Sequence, residues 1–348
     1  MAAFALLAVL IVVVDSCWAQ QESILSATYG VAGCIGVKDT SDWADLTMRG
    51  CNVVTISTAQ GPKNVTSARS TLNMKGVCGL LSNILHMDGL PITFSSPVVA
   101  STLDASDFNF TLSDGTWVQP VCATLKPADE ENEGHTVATV GRFGDGLKGT
   151  VYPTSITIVG ELSLKTLNGT VVSARGLTFS SGPDFPYMSP TSHPKMVLAW
   201  VERFSTAGET LSSATRKGVF PNHCQQIFGA GVTHRVRVVL SGGGTIDGVT
   251  SFQPHTPEVL QLYLQNGSQL EAPYVLGFAD LGMSTAGDAT YAHDNDNYID
   301  ICLSDPNLQA VNALAAVRLP CTSTKLYYPK GAKYWSGCQD HSVSVRGA

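Results

Sequence analysis

Short segments that alternate apolar and polar residues recur from about residue 90 onward, and they constrain the fold more than any other feature of the chain. Each segment is rich in Val, Ile, Thr or aromatic residues and ends in Gly, Asn or Asp, as β-strands of antiparallel sheets do. The pairs Asp114-Gly115 and Asn168-Gly169 lie between such segments and favour tight hairpin turns. We therefore predict an all-β protein, mainly an antiparallel β-sandwich.

The same pattern divides the chain into regions. Residues 91–185 and 231–348 are predicted to form two parts of the sandwich, with an irregular connection over 186–230. Inside that connection, the run 195–204 is compatible with a strand or a helix. Residues 20–90 are mixed, and a short helix is predicted there from apolar residues at helical spacing, which are Val77, Leu80, Leu81, Ile84 and Leu85.

The first 19 residues have the outline of a secretory signal peptide. An apolar run from Phe4 to Val14 precedes a polar break and the small residue Ala19. That run is too short to cross a bilayer. We therefore predict a secreted, extracellular protein without a membrane span.

The cysteines beyond this leader are even in number, and an exported chain with an even count is expected to form disulfides. Their pairing cannot be read from the sequence, and no two of them have the C-x-x-C spacing of zinc ribbons or thioredoxin-like sites. The candidates are Cys34, Cys51, Cys78, Cys122, Cys224, Cys302, Cys321 and Cys338. Sequons for N-glycosylation predict a glycoprotein and occur at Asn64, Asn109, Asn168 and Asn266.

Charge limits the partners. The formal net charge is −7, only 14% of the residues are charged, and no run of three basic residues occurs. Binding to nucleic acid or to an anionic membrane needs clustered Lys and Arg, so neither is expected. A glycan or a matrix component fits the composition better.

Residues 292–305 crowd Asp and Asn against an apolar strand. Carboxylate and amide oxygens at this density suit Ca²⁺ as a cofactor, although Ile299 stands where an EF-hand needs Gly. The candidate metal ligands are Asp280, Asp288, Asp294, Asp296, Asn297 and Asp300. A plain turn, in which Asp and Asn side chains bond their own backbone, explains the same residues, and catalytic carboxylates are a third interpretation.

Asp300 is the most informative of these acids, because it stands between Ile299 and Ile301. In a strand, alternation sends both isoleucines to one face and Asp300 with Cys302 to the other. If that second face is covered, Asp300 must be paired with a cation or bound to a metal.

Other clusters carry weaker signals. The acidic run 127–135 is typical of an exposed loop, with a metal site as the alternative, and holds Asp129, Glu130, Glu131, Glu133 and His135. Aromatic residues near the C-terminus either close the sandwich or stack on sugars, and these are Tyr327, Tyr328, Tyr334 and Trp335. Neither G-x-S-x-G nor H-E-x-x-H occurs, which disfavours serine-nucleophile and zinc-protease chemistry.

Four segments in a fixed order, "VCATLKPADE", "GRFGDG", "YVLGFADLG" and "DNDNYIDICLSD", lie within residues 116–345. Together they resemble a family of secreted β-rich proteins found mainly in bacteria. The resemblance implies a secreted β fold and no particular activity. The matching positions are Cys122, Asp129, Glu130, Gly141, Phe143, Gly144, Phe278, Ala279, Asp280, Gly282, Asp294, Asp296, Asn297 and Cys302.

Two details of the resemblance bear on the site. Arg142 stands where the family has Asp, which speaks against a cation in that turn. Cys122 and Cys302 fall in two of the family's motifs, so the resemblance implies a bridge between them.

Three functions follow as hypotheses. The first is a secreted, disulfide-stabilised, calcium-stabilised protein without catalysis, with a binding or structural role at the cell surface or in the matrix. The second is an extracellular polysaccharide hydrolase that uses carboxylates from Asp280, Asp294, Asp296 and Asp300. The third is a cell-surface or periplasmic protein that captures iron or zinc with the same acids and His293.

Overall fold

Strands predominate in the computed structural model, and nearly all of them pair antiparallel, so the predicted all-β class is confirmed. The structure describes residues 21–27, 37, 39–49, 51, 53–58, 61–66, 78–79, 87–126, 128, 133–144, 151–180, 196–204, 224–241, 260–280, 297–320 and 341–347. The predicted signal peptide and the apolar positions of the predicted helix lie outside these residues. Within them, no helix has the length and apolar character needed to cross a membrane.

The strands are β1 (Ile24–Ala27), β2 (Val53–Thr58), β3 (Gly61–Thr66), β4 (Asp88–Phe94), β5 (Phe108–Leu112), β6 (Trp117–Val118), β7 (Cys122–Thr124), β8 (Thr136–Gly141), β9 (Pro153–Ile158), β10 (Ser163–Lys165), β11 (Val171–Ser173), β12 (Thr178–Ser180), β13 (Met196–Arg203), β14 (His234–Leu240), β15 (Gln261–Leu264), β16 (Gln269–Leu270), β17 (Val275–Ala279), β18 (Tyr298–Leu303), β19 (Leu314–Leu319) and β20 (His341–Arg346). The α-helices are α1 (Trp43–Met48) and α2 (Cys224–Phe228). Single 3₁₀ turns span Ala100–Thr102, Ala105–Asp107, Gly229–Gly231 and Val311–Ala313.

Helix α1 lies in the N-terminal third, outside the stretch predicted to be helical; within that stretch, Cys78 is helical as well. It begins after Asp42, whose side chain accepts a hydrogen bond from the Asp45 backbone N–H at 3.0 Å. Such an N-cap satisfies one of the free N–H groups of the first turn. Helix α1 has only 6 residues. Apolar residues at helical spacing identify helices of several turns, so this pattern does not predict α1.

Two four-stranded sheets form the first part of the molecule and enclose its core. One has the order β1-β4-β8-β7 and the other the order β12-β9-β5-β6. On β5 the buried residues alternate with half-buried ones, so that Phe108 and Phe110 point inward. They pack in one apolar cluster with Leu90 and Ile92 of the facing sheet.

The second part is an eight-stranded sheet with the order β16-β15-β19-β20-β13-β14-β18-β17. Strand β13 lies inside the range predicted as a connection, and of its two interpretations the strand is found. β20 joins the halves of this sheet, pairing antiparallel with β19 and parallel with β13. One face buries an apolar cluster that includes Val236, Val238, Phe278, Ile299 and Ile301.

The first part packs against the other face of the eight-stranded sheet. Trp200 and Tyr298 lie in an apolar cluster there, against which Leu25 of β1 packs. The backbone N–H of His135 donates to the Tyr298 hydroxyl at 2.9 Å, and Arg346 Nη1 donates to the Ser95 carbonyl at 2.9 Å. This face of the sheet is therefore covered, and any charge on it needs a partner.

Two disulfides link cysteines distant in sequence, Cys78–Cys122 and Cys224–Cys302. The bridge between Cys122 and Cys302 that the resemblance implied is therefore wrong. Helix α2 brings Cys224 to Cys302 on β18, whereas Cys122 belongs to β7 in the first part. Cys51 is disulfide-bonded as well, and Cys34, Cys321 and Cys338 lie outside the described residues.

Gly160 marks a close approach of two segments in the first part. A Cβ atom at this position would lie 2.0 Å from Asp107 Oδ1 and 2.9 Å from Asp107 Cα. We expect Gly160→Ala to lower the free energy of unfolding by about 1–3 kcal/mol, because the backbone must shift to admit the methyl group. Gly231→Ala is the matched control, since nothing lies within 4 Å of its Cβ position. Equal urea midpoints for the two variants would contradict this account.

Candidate functional site: a buried charge cluster

One face of the eight-stranded sheet carries charged side chains, because residues alternate between the two faces along the neighbouring strands β13, β14 and β18. On β14, Val236 and Val238 enter the apolar core, while Arg235 and Arg237 point to the opposite face. Cross-strand pairing then sets Arg237 beside Asp300 of β18, and Arg235 beside Glu202 of β13. Opposite charges at directly paired positions stabilise a sheet.

Asp300 lies at the centre of this arrangement and is 1% exposed. Its Oδ1 accepts a hydrogen bond from Arg237 Nε at 2.8 Å, and its Oδ2 accepts from Arg237 Nη2 at 3.0 Å. Arg235 Nη1 donates to the same Oδ2 at 3.1 Å. The bidentate contact with Arg237 is the strong, geometrically specific form of a charge-assisted hydrogen bond.

Three further acids complete what we call the Arg237 cluster, defined as Glu133, Glu202, Arg235, Arg237, Asp280 and Asp300. Arg237 Nη1 lies 3.6 Å from Glu133 Oε1, and Arg237 Nη2 lies 3.8 Å from Asp280 Oδ2. Glu202 Oε2 accepts from Arg235 Nε at 2.8 Å and from Nη2 at 2.5 Å. Since Glu133 belongs to the first part of the molecule, the cluster crosses the junction between the two parts.

The environment of Arg237 keeps its guanidinium charged. Burial lowers the pKa of Arg237, but the charges of Asp300, Glu133 and Asp280 outweigh burial and raise this pKa well above its usual value. The guanidinium also lies over the ring of Tyr298, with 5.6 Å from Cζ to the ring centroid. A cation over an aromatic face adds a further attraction in a desolvated setting.

Asp280 reaches the cluster through an unusual backbone conformation. It follows the last residue of β17 and has φ = 55°, in the left-handed region that Asp tolerates better than most residues. Such conformations persist where the surrounding structure holds them. The ion pair with Arg237 stabilises this backbone conformation of Asp280.

The structure brings together some of the predicted site residues. Asp280, Asn297 and Asp300 are all buried at the same end of the β17–β18 pair. Asn297 Nδ2 donates to Thr136 Oγ1 and to the Leu240 carbonyl. Asp288, His293, Asp294 and Asp296 lie outside the described residues, as do the C-terminal aromatic residues and Asp129, Glu130 and Glu131.

The predicted alternation of β18 is confirmed. Ile299 and Ile301 are in the apolar core, while Asp300 and Cys302 are on the opposite, covered face. Asp300 is paired with guanidinium groups there. In the ranges that the structure describes, no three His, Cys, Asp or Glu side chains have the arrangement of a metal site.

Sequence reasoning missed both arginines and misjudged part of the acidic run 127–135. The signal for the arginines was present, since two Arg alternate with Val in "HRVRVVL" and so share a face. Glu133 and His135, expected in an exposed loop, are 5% and 6% exposed. They are buried because they pack against the eight-stranded sheet, Glu133 beside Arg237 and His135 against Trp200.

His135 is a titratable group beside the cluster. Its Nδ1 lies 3.1 Å from the Phe94 carbonyl, and its ring centroid lies 4.8 Å from that of Trp200. Burial lowers the pKa of His135 to about 4, against a smaller opposing effect of the Phe94 carbonyl, and the charges of Arg346 and Arg237 lower it further. The folded protein therefore holds this imidazole neutral at pH 7.

We expect His135 to make stability pH-dependent in a defined window. Its pKa is lower folded than unfolded, so the contribution is complete above pH ~6.5, declines as pH falls, and is lost below pH ~4. The full change is about 3 kcal/mol. The measurement is the free energy of urea unfolding against pH, for the natural protein and for His135→Gln. Parallel curves for the two proteins between pH 4 and 6.5 would contradict the assignment.

The predicted glycosylation sequons differ in accessibility. Asn168 and Asn266 are exposed and lie in hairpin turns. Asn64 and Asn109 are half-buried and lie within strands.

The chemistry open to the Arg237 cluster is limited. A general acid or base must exchange a proton with a substrate. Asp300 is almost fully buried and is engaged by two guanidinium groups. The geometry therefore favours a structural role for this acid over catalysis.

Comparisons with protein-family models, with curated proteins and with solved structures find no match to this chain.

Proposed function

We propose that the protein is a secreted, non-catalytic β protein, stabilised by disulfides and by Ca²⁺, with a structural or binding role at the cell surface or in the matrix. The disulfides Cys78–Cys122 and Cys224–Cys302 support an oxidising compartment. The resemblance to a family of secreted β-rich proteins supports the same compartment.

The Arg237 cluster supports the non-catalytic part of the proposal, and it is the observation that carries most weight. A hydrolase built on Asp280 and Asp300 needs both carboxylates to face a substrate. Both are instead buried beside Arg237, at 5% and 1% exposure. Ion pairs this deeply buried stabilise the packing of the protein, and they leave these two carboxylates without access to a substrate.

The anchoring of segment 281–296 supports the calcium part. The segment connects β17 to β18, two strands paired through Ala279 and Asp300, and it is flanked by the buried residues Asp280 and Asn297. A cation bound in a loop held at both ends stabilises the folded state, because it binds that state alone. In sequence the segment carries Asp288, Asp294 and Asp296, whose oxygens suit Ca²⁺.

Arg237 narrows the ligand set. A guanidinium group repels a metal cation, and Arg237 adjoins both Asp280 and Asp300. We therefore assign the ligand role to Asp288, Asp294 and Asp296, and the ion-pair role to Asp280 and Asp300.

Thermal unfolding tests this proposal. The protein is stripped with EDTA and then melted with millimolar Ca²⁺, Zn²⁺ or Fe³⁺. We expect stabilisation by Ca²⁺ alone, by about 2.7 kcal/mol when its concentration is a hundred times the dissociation constant. The variant Asp294→Asn with Asp296→Asn should lose this shift.

A variant with Asp104→Asn and Asp114→Asn is the control, because it removes the same charge from two exposed turns outside the segment. It should keep the full calcium shift. If the variant with Asp294→Asn and Asp296→Asn shows the same calcium-dependent stabilisation as the natural protein, the proposal is wrong. A shift with zinc or iron only would favour metal capture instead.

A further inference from the structure

The sheet β12-β9-β5-β6 has an outer face that carries a distinct set of side chains. Its inner residues, such as Phe110 of β5 and Ile156 of β9, enter the apolar core. The residues that alternate with them along each strand therefore point outward. Cross-strand pairing arranges the outward residues in rows. They form what we call the Trp117 face, defined as Asn109, Thr111, Trp117, Ser155, Thr157, Thr178 and Ser180.

We propose that the Trp117 face binds a neutral polysaccharide. Such a ligand presents many hydroxyl groups and flat, weakly apolar ring faces, and it carries no charge. The Trp117 face has the matching set of groups: hydroxyls, an amide and one exposed indole. The inference rests on the extracellular role proposed above, but not on calcium.

The indole of Trp117 is the strongest single feature of the face. It is 62% exposed, although a large aromatic side chain gains most from being covered. Its neighbour Val118 packs against the core, which fixes the direction of Trp117 outward. Trp residues that present an apolar ring with a polar N–H are common anchors of binding surfaces.

The remaining residues of the face form a row that begins at the indole. Trp117 pairs with Thr111, Thr111 pairs with Ser155, and Ser155 pairs with Ser180. Four strands at a spacing of about 4.8 Å give this row a length of roughly 14 Å. A short stretch of a sugar chain can therefore stack one ring on Trp117 and hydrogen-bond along the row.

Charge restricts the partner to a neutral one. None of the described residues that define the face is ionisable. An anionic polysaccharide or a nucleic acid gains its affinity from Lys and Arg, and this face offers neither. Its hydroxyl and amide groups both donate and accept hydrogen bonds, as sugar hydroxyls do.

The test is retention of the full-length, secreted protein on insoluble cellulose, chitin and β-1,3-glucan, with polygalacturonate as an anionic probe. N-glycans are first removed with a glycosidase, because Asn109 is itself a sequon. We expect retention on at least one of the three neutral polymers. Trp117→Ala should weaken that retention about tenfold or more, and Trp117→Phe should preserve most of it.

Leu167→Ala is the matched control, since Leu167 is a 75% exposed apolar residue in the turn between β10 and β11, and its removal should leave retention unchanged. Melting temperatures check that each variant is folded. Three results would overturn the proposal: no retention on any neutral polymer, equal retention of Trp117→Ala, or retention on polygalacturonate alone. Each assay is run in EDTA and in Ca²⁺, so that a failure of the calcium proposal is separate from a failure here.

Discussion

Replacement of Arg237 by Met is expected to lower the free energy of unfolding by about 3–5 kcal/mol, a large fraction of the stability of an ordinary domain. The substitution keeps an apolar stem of similar length but removes the guanidinium group. Asp300 then loses a bidentate partner, and Glu133 and Asp280 lose a guanidinium group at 3.6 Å and 3.8 Å. The cost comes from buried carboxylates that lose part of their cationic pairing.

Arg175→Met is the matched control for this prediction. Arg175 pairs with Glu161 at 2.7 Å, but the two side chains are 62% and 84% exposed. Loss of an exposed pair of this kind changes stability by less than about 1 kcal/mol. Urea denaturation of both variants is the measurement. Similar midpoints for the two would show that the Arg237 cluster does not hold the fold together.

Removal of the bridge Cys224–Cys302 has the second large effect. We expect Cys224→Ala with Cys302→Ala to lower the free energy of unfolding by about 4 kcal/mol, because the bridge closes a long loop and restricts the unfolded chain. The two cysteines are separated by 78 residues. Both are fully buried, so the variant also loses packing around β18.

The bridge Cys78–Cys122 supplies the comparison. Cys78–Cys122 spans 44 residues, and both of its cysteines are half-buried. The difference in loop length alone is worth only about 0.5 kcal/mol, so the double alanine variant of this pair should lose slightly less stability. A dithiol should also reduce Cys78–Cys122 first, because its two cysteines are half-buried whereas Cys224 and Cys302 are fully buried. An unaltered urea midpoint after removal of Cys224–Cys302 would contradict the account.

Local pattern was enough to predict the all-β class and, in β18, the faces of its residues. In β18 the alternation of Ile299, Asp300 and Ile301 is a property of the extended backbone, so the sequence alone gives the direction of each side chain. The same reasoning required a partner for Asp300 if its face was covered. That partner is found.

The identity of the partners depends on long-range pairing, which local pattern does not contain. Arg235 and Arg237 are 65 and 63 residues away from Asp300 in the chain. Only the order of strands β14 and β18 in the sheet brings them together. For the same reason the disulfide pairing was wrong for Cys122 and Cys302, since a shared resemblance says nothing about which elements lie side by side.

Calcium binding by segment 281–296 is the central claim of this account. The most direct test is calorimetric titration of Ca²⁺ into the EDTA-stripped protein, in parallel with the variant Asp294→Asn and Asp296→Asn. We predict saturable binding to the natural protein and its loss in the variant. No saturable heat with the natural protein, or the same isotherm for both proteins, would contradict the claim and leave 281–296 as an ordinary turn-rich connection.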